Sequence, residues 1–138
     1  MKAQRITLIT LGVADLARAM AYYAALGWDP DDTNEGVAFY DMGGFRFGLF
    51  GLGPLAADQG RPEATLGTGA MTLAQNFNSP AEVDAAFAAA LNAGASALKA
   101  PEAVFWGGYS GYVADPDGHV WEFAHNPFWT LDADGRLK

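Results

Sequence analysis

Cysteine is missing from this chain of 138 residues, and histidine occurs only twice. Disulfides, thiolate nucleophiles and zinc-thiolate centres are thereby excluded, and nothing points to an oxidising compartment. Positive charge is also scarce. Eight scattered Lys and Arg stand against sixteen Asp and Glu, a formal net charge of −8 that would repel a phosphate backbone or an anionic membrane surface. No nucleic acid and no membrane partner is expected. The opening "MKAQRITLITLGVADL" holds a short apolar run without a small-residue cleavage site, and Asp15 interrupts it well short of membrane-spanning length. A cytoplasmic protein is the expectation. The phosphate-binding and nucleophile motifs are lacking too: the glycines of "GGFRFGLFGLG" have the wrong spacing for a dinucleotide fingerprint or P-loop, and no nucleophile elbow occurs.

What is present is apolar material in quantity. The chain is 51% hydrophobic and 13% aromatic, enough for one sizeable core and too short for a second full domain. Its order is written twice. Residues 6–13, "ITLITLGV", read as a strand, Asp15 as the cap of a helix "LARAMAYYAAL", and Gly27 as its stop. "GVAFYDMGG" and "FRFGLFG" then form a hairpin about Gly43-Gly44. From residue 70 the pattern returns: a strand "AMTLAQNF", a helix "PAEVDAAFAAALNA" capped by Ser79 and closed by Gly94, and strands "AVFWGG", "YSGYVADPDG" and "HVWEFA" turning at Asp117-Gly118. Two β-α-β-β-β repeats, about 1–52 and 68–125, are expected within a single α+β domain, with a third short strand the least defined in each. Residues 53–67, rich in Gly, Pro and Ala, read as the connection, and 126–138 as a tail whose Phe128 and Trp129 dock on the body.

Strand alternation sorts the side chains. Ile9, Leu11, Val13, Phe47, Leu49, Met71, Leu73, Phe77, Trp121 and Phe123 share one face, apolar enough to hold the helices. The opposite face carries Leu8, Thr10, Arg46, Gly48, Phe50, Thr72, Ala74, Val120, Glu122 and Ala124. Small residues there, Gly48 and Thr72 among them, leave room for a ligand. Glu122 is the carboxylate on that face: a ligand contact or general base if partly buried, a hydrated rim residue otherwise. Arg46 has the same parity and could hold an anionic group through its planar fork, or be a surface arginine near the hairpin or a structural ion-pair partner of Glu122. The run "FWGGYSGY" mixes rings with flexible glycines, so Trp106 or Tyr109 could close over an apolar ligand or simply pack in the core. His119 and His125 fall on the Trp121 face, away from Glu122, which suits hydrogen bonding better than metal ligation.

A duplicated chain closing on "FWGGYSGYVADPDGHVWEFAHNPFW" resembles the vicinal oxygen chelate superfamily, the group of glyoxalase I, bleomycin-resistance proteins and extradiol dioxygenases. The resemblance covers nearly the whole chain and is most specific in "GYVADPDGHVWEF". It implies two β-α-β-β-β modules forming an open U-shaped barrel around a cavity, assembled as a homodimer. It also implies metal-ligand positions at or near Leu8, Gly48, Thr72 and Glu122. Of these residues only Glu122 matches, and leucine and glycine side chains cannot coordinate. The expectation is therefore a protein that binds a small organic molecule with no metal or cofactor. Its ligand-binding set is Arg46, Gly48, Thr72, Trp106, Tyr109 and Glu122, with Glu122 as the catalytic candidate. The alternative is a metal-dependent lyase, isomerase or dioxygenase of the glyoxalase I type.

Overall fold

A computed structural model of the chain describes residues 3–34 and 36–138. The chain divides into two units, Met1–Gly67 and Thr68–Lys138. The first runs β1 (Leu8–Val13), α1 (Leu16–Ala25), β2 (Asp32–Asn34), β3 (Val37–Asp41), β4 (Arg46–Gly51) and α2 (Leu52–Asp58). The second runs β5 (Thr72–Asn76), α3 (Pro80–Ala93), β6 (Ser96–Ala103), β7 (Tyr109–Ala114) and β8 (Val120–His125). Each unit holds an open four-stranded sheet, ordered β1-β4-β3-β2 in the first and β5-β8-β7-β6 in the second. The β1/β4 and β5/β8 pairs are parallel. The α+β class and the repeated β-α-β-β-β order are therefore as expected.

The capping residues do what their chemistry suggests. Asp15 Oδ1 accepts a hydrogen bond from the Arg18 amide at 3.1 Å, and Ser79 Oγ accepts from the Glu82 amide at 3.2 Å. The Glu82 carboxylate reaches back to the Asn78 amide at 2.9 Å, so several orphan donors at the start of α3 are satisfied locally.

In the first unit, Leu11, Val13, Ala38, Tyr40, Phe47 and Leu49 are buried, as are Ala19, Tyr22 and Tyr23 of α1. Trp28 completes a ring cluster, 5.1 Å from Tyr23 and 5.3 Å from Phe47 between centroids. Tyr40 is 2% exposed and its hydroxyl has no hydrogen-bond partner among the described residues. Burial, reinforced by the charge of Asp29, raises its pKa above the ordinary 10.0. Tyr40→Phe removes a desolvated hydroxyl and keeps the ring, so its stability at neutral pH is expected within about 1 kcal/mol of the parent. In alkali the variants diverge. The folded phenol resists ionisation, so the parent loses stability as pH rises through and above 10.0, and Tyr40→Phe escapes that loss. Urea titrations at neutral and alkaline pH measure both effects, and a parallel alkaline decline in the two proteins would refute the account.

In the second unit, α3 buries Val83 and Ala90, and it packs on β7 and β8, where Val113, Trp121 and Phe123 are buried.

Three local expectations are corrected. The connection 53–67 is not featureless, because α2 folds there and its Leu52 and Leu55 side chains lie 2.8 and 3.1 Å from where a Cβ on Gly12 would sit. A side chain at residue 12 would push this helix off the sheet. The strand placed on "AVFWGG" lies earlier, at Ser96–Ala103, and residues 104–108 turn the chain through hydrogen bonds from Val104 N to Gly108 O and from Gly107 N to Val104 O. The tail docks only in part: the Phe128 ring lies 3.4 Å from where a Cβ on Gly107 would sit, but Phe128 is 76% and Trp129 54% exposed, and Asn126 ties both amides into a local turn. Among the described residues no helix is long and apolar enough to cross a membrane.

Candidate functional site

The β7–β8 hairpin sets the geometry around Glu122. Its turn is closed by the buried Asp115, whose Oδ1 accepts from the amides of Asp117 and His119, each at 2.9 Å. Counting outward, Ala114 pairs with Val120, Val113 with Trp121, and Tyr112 with Glu122. Trp121 and Phe123 are buried on the helix side, so alternation turns Glu122 to the other face. Glu122 is half-buried there. Ala74 lies beside it across the parallel β5 pairing, with Thr72 next to Val120, and both are exposed.

Tyr112 is the residue that the sequence reading missed. Its phenol pKa is raised, first by burial and then by the charge of Glu122 and the hydrogen bond to it, with Lys99 working in the opposite direction. The phenol therefore keeps its proton, and the strand pairing sets it across from the Glu122 carboxylate. Lys99 pairs with Tyr112 from β6, and its ammonium forms an ion pair with Glu102 at 3.1 Å. The hairpin arithmetic alone, outward from the Asp117-Gly118 turn, identifies Tyr112 as the partner.

Trp106 reaches the same face. Gly108 continues the ladder beyond β7 through the Val104–Gly108 hydrogen bond, so its missing Cβ points with Ser110 and Tyr112. The Trp106 indole occupies the position that this Cβ would take. Tyr109 is placed differently from expectation. It has the opposite parity, and its hydroxyl donates to Asp84 Oδ1 on α3 at 2.7 Å, which ties it to helix packing. That bond, followed by desolvation and the Asp84 charge, raises its pKa. His125 belongs to that same face, with Nδ1 2.9 Å from the Phe77 carbonyl oxygen.

The first unit treats its two candidates differently from the sequence reading. Arg46 hydrogen-bonds Asp31 at 2.5 Å with both side chains substantially exposed, and its pKa is raised by that bond and charge, with Asp41 and Asp32 contributing further. Its fork is engaged by acidic neighbours, which is the structural ion-pairing role. Gly48 does leave room, but the Phe39 ring takes it, 3.4 Å from where a Cβ would sit, with Thr10 Oγ1 at 3.5 Å. This unit also has an open groove of about 510 Å³ lined by Gln4, Arg5, Ile6, Ile9 and Phe45, which contains none of the predicted site residues.

Comparison with known proteins fixes the family. The sequence profile of the glyoxalase/bleomycin resistance protein/dioxygenase superfamily matches residues 5–123. The chain belongs to that superfamily. A glyoxalase-related enzyme from Fulvimarina pelagi is 38% identical with a TM-score of 0.92, over 98% of this chain and 97% of that one. A lactoylglutathione lyase from Agrobacterium tumefaciens, 22% identical with a TM-score of 0.70 over 95% of this chain and all of that one, shares the fold. An uncharacterized protein of Mycobacterium bovis is 55% identical over 40 residues, which are 29% of this chain and only 26% of that protein.

The superfamily's metal chemistry needs donors that the positions carried over from the resemblance do not supply. At those four positions, Leu8 and Gly48 offer none, Thr72 offers a neutral hydroxyl, and Glu122 alone offers a carboxylate. Among the described residues no three His, Asp or Glu side chains come together as a metal-binding group. The residues present do not fit a catalytic divalent ion.

Proposed function

We propose that this superfamily member binds a small organic molecule on the Glu122 face of its second sheet, and that it does so without a metal. One observation carries the reading: a half-buried carboxylate, paired across the strands with Tyr112, borders an exposed floor of Ala74 and Thr72 on a sheet whose other face is committed to packing α3. Glu122 supplies polar recognition and the small side chains supply space. Arg46, held by Asp31, and Tyr109, held by Asp84, are left to structural roles. Catalysis is not needed for the arrangement, although Glu122 is the group that would accept a proton if the ligand presented one.

Protein-observed NMR against a library of aromatic fragments tests the reading. Shifts are expected to cluster at Thr72, Ala74 and Glu122, and Ala74→Trp, which fills the floor from an exposed position, should abolish them while leaving the fold intact. Shifts confined to other parts of the chain would sink the proposal. So would one equivalent of Zn, Fe, Mn or Ni, in protein purified without an affinity tag, whose removal by a chelator abolished binding.

A homodimer is part of the same reading. It is supported by Ile6 and Leu8, 66% and 43% exposed at the edge strand β1, and by the partly exposed Phe45 nearby. Light scattering at high micromolar concentration is expected to give twice the mass of one chain. A monomer there would remove this part of the proposal.

A further inference from the structure

The chemistry around Glu122 selects among organic ligands, a selection that rests on the binding proposed for this face. Three oxygen groups belong to it: the Glu122 carboxylate, the Tyr112 phenol and the Thr72 hydroxyl. Tyr112, paired across the strands with Glu122, keeps its proton, and its oxygen has lone pairs to offer. A carboxylate accepts on both oxygens, and one phenol proton leaves much of that capacity free. The neighbouring cation, Lys99, is engaged by Glu102. Counting Glu122, Glu102 and Lys99, the local charge is one negative. The set is thus rich in acceptors, poor in donors and short of one positive charge.

An anionic group would meet the charges of both Glu122 and Glu102, against the single cation Lys99. A neutral alcohol would supply a single donor. A protonated primary amine supplies three donors and the missing charge, and charge-assisted hydrogen bonds are roughly twice as strong as neutral ones. The Trp106 indole lies on the same face, 38% exposed, and offers a flat apolar surface that attracts rings and cations. The geometry points to an organic ammonium as the ligand of this site: the amine at Glu122 and Tyr112, and a flat apolar body extending over the sheet toward Trp106.

A matched series separates this inference from the binding reading beneath it. Phenethylammonium, phenethyl alcohol and hydrocinnamate share a phenyl ring and differ in the charge of their head group. Each is titrated into the full chain at neutral pH and followed by the amide signals of Ala74 and Glu122 and the indole signal of Trp106. Phenethylammonium is expected to bind at least tenfold more tightly than the alcohol, with hydrocinnamate weakest. Glu122→Gln should erase the preference for the ammonium while leaving the alcohol's affinity within a factor of about three. Tyr112→Phe, which keeps the ring and removes the phenol oxygen, should weaken the ammonium several-fold, and it serves as the deciding variant if Glu122→Gln does not fold. Equal or tighter binding of the alcohol or of hydrocinnamate at these signals overturns the ammonium assignment and leaves the binding site standing. Absence of any response at these signals from all three probes overturns both.

Discussion

Gly111→Val is expected to destabilise the protein by about 3 kcal/mol or more, a large share of the 5–15 kcal/mol typical of a folded domain. Gly111 is buried in β7, opposite Phe123. Beside it, β6 does not pair evenly. The register shifts between Ala97 and Lys99 and again between Lys99 and Glu102, which brings Pro101 over the glycine. A Cβ at residue 111 would stand 2.8 Å from Pro101 N, 2.9 Å from Pro101 Cγ and 3.0 Å from the Lys99 carbonyl oxygen. Two of those atoms are backbone and the third belongs to a ring, so none can rotate away. Relief requires β6 to move, which would also shift Lys99 away from Tyr112. Gly111→Ala should cost less, about 1–3 kcal/mol, because its Cβ meets these three atoms without the two further methyl groups of valine. Urea denaturation of both variants measures the series. Stability equal to the parent's in Gly111→Val would mean that the strands do not approach this closely.

Asp115→Ala is expected to cost about 2–4 kcal/mol and to disturb the Glu122 site from a distance. The Asp115 carboxylate is 4% exposed and accepts two backbone hydrogen bonds, from Asp117 and His119. Alanine leaves both amides without that acceptor in a tight turn, and each lost bond to a charged group is worth about 1.5–3 kcal/mol before the turn relaxes. Asp115→Asn retains an acceptor oxygen and should recover a substantial part of the loss. The turn also fixes the count that puts Tyr112 across from Glu122, and a slip of one residue would send Glu122 to the helix face. Denaturation curves report the stability, and the Tyr112 phenol titration reports the register. It should fall back toward the ordinary tyrosine value in Asp115→Ala if the pair comes apart. An unchanged titration beside a large loss of stability would separate the turn from the site.

The legible parts of this molecule were those governed by neighbours in sequence. Asp15 and Ser79 cap helices three residues away, the Gly43-Gly44 and Asp117-Gly118 turns place their hairpins, and alternation alone puts Trp121 and Phe123 beneath a helix with Glu122 opposite. The parts that escaped depend on residues distant in the chain. Nothing near Gly48 announces that the Phe39 ring will lie over it, and the Arg46 partner, Asp31, is fifteen residues away across a strand and a hairpin. Tyr109 was legible as an aromatic beside a ligand face, but its parity, set by where β7 begins, sends it to Asp84 on α3. The position of β6 was obscured for a similar reason. Pro101 argues against a strand, and its irregular pairing is tolerated because β6 is an edge strand. Helix α2 has no side-chain cap, no acidic residue in its first turn and no basic residue in its last, and it is held by Leu52 and Leu55 packing on Gly12, a contact that no local pattern encodes.

The indole lying on Gly108 gives the protein an optical property of its own. Of the four tryptophans, Trp28 is locked among the rings of its unit, Trp121 is 7% exposed beneath a helix and Trp129 sits on the tail. Trp106 alone joins the second sheet on its Glu122 side with part of its surface in water. If the binding proposed for this face holds, a molecule settling there would replace water at Trp106, the emitter placed to report it. Occupancy would then be written into the colour of the protein's own fluorescence, readable without a label, and would go dark to the observer once Trp106 is replaced by phenylalanine.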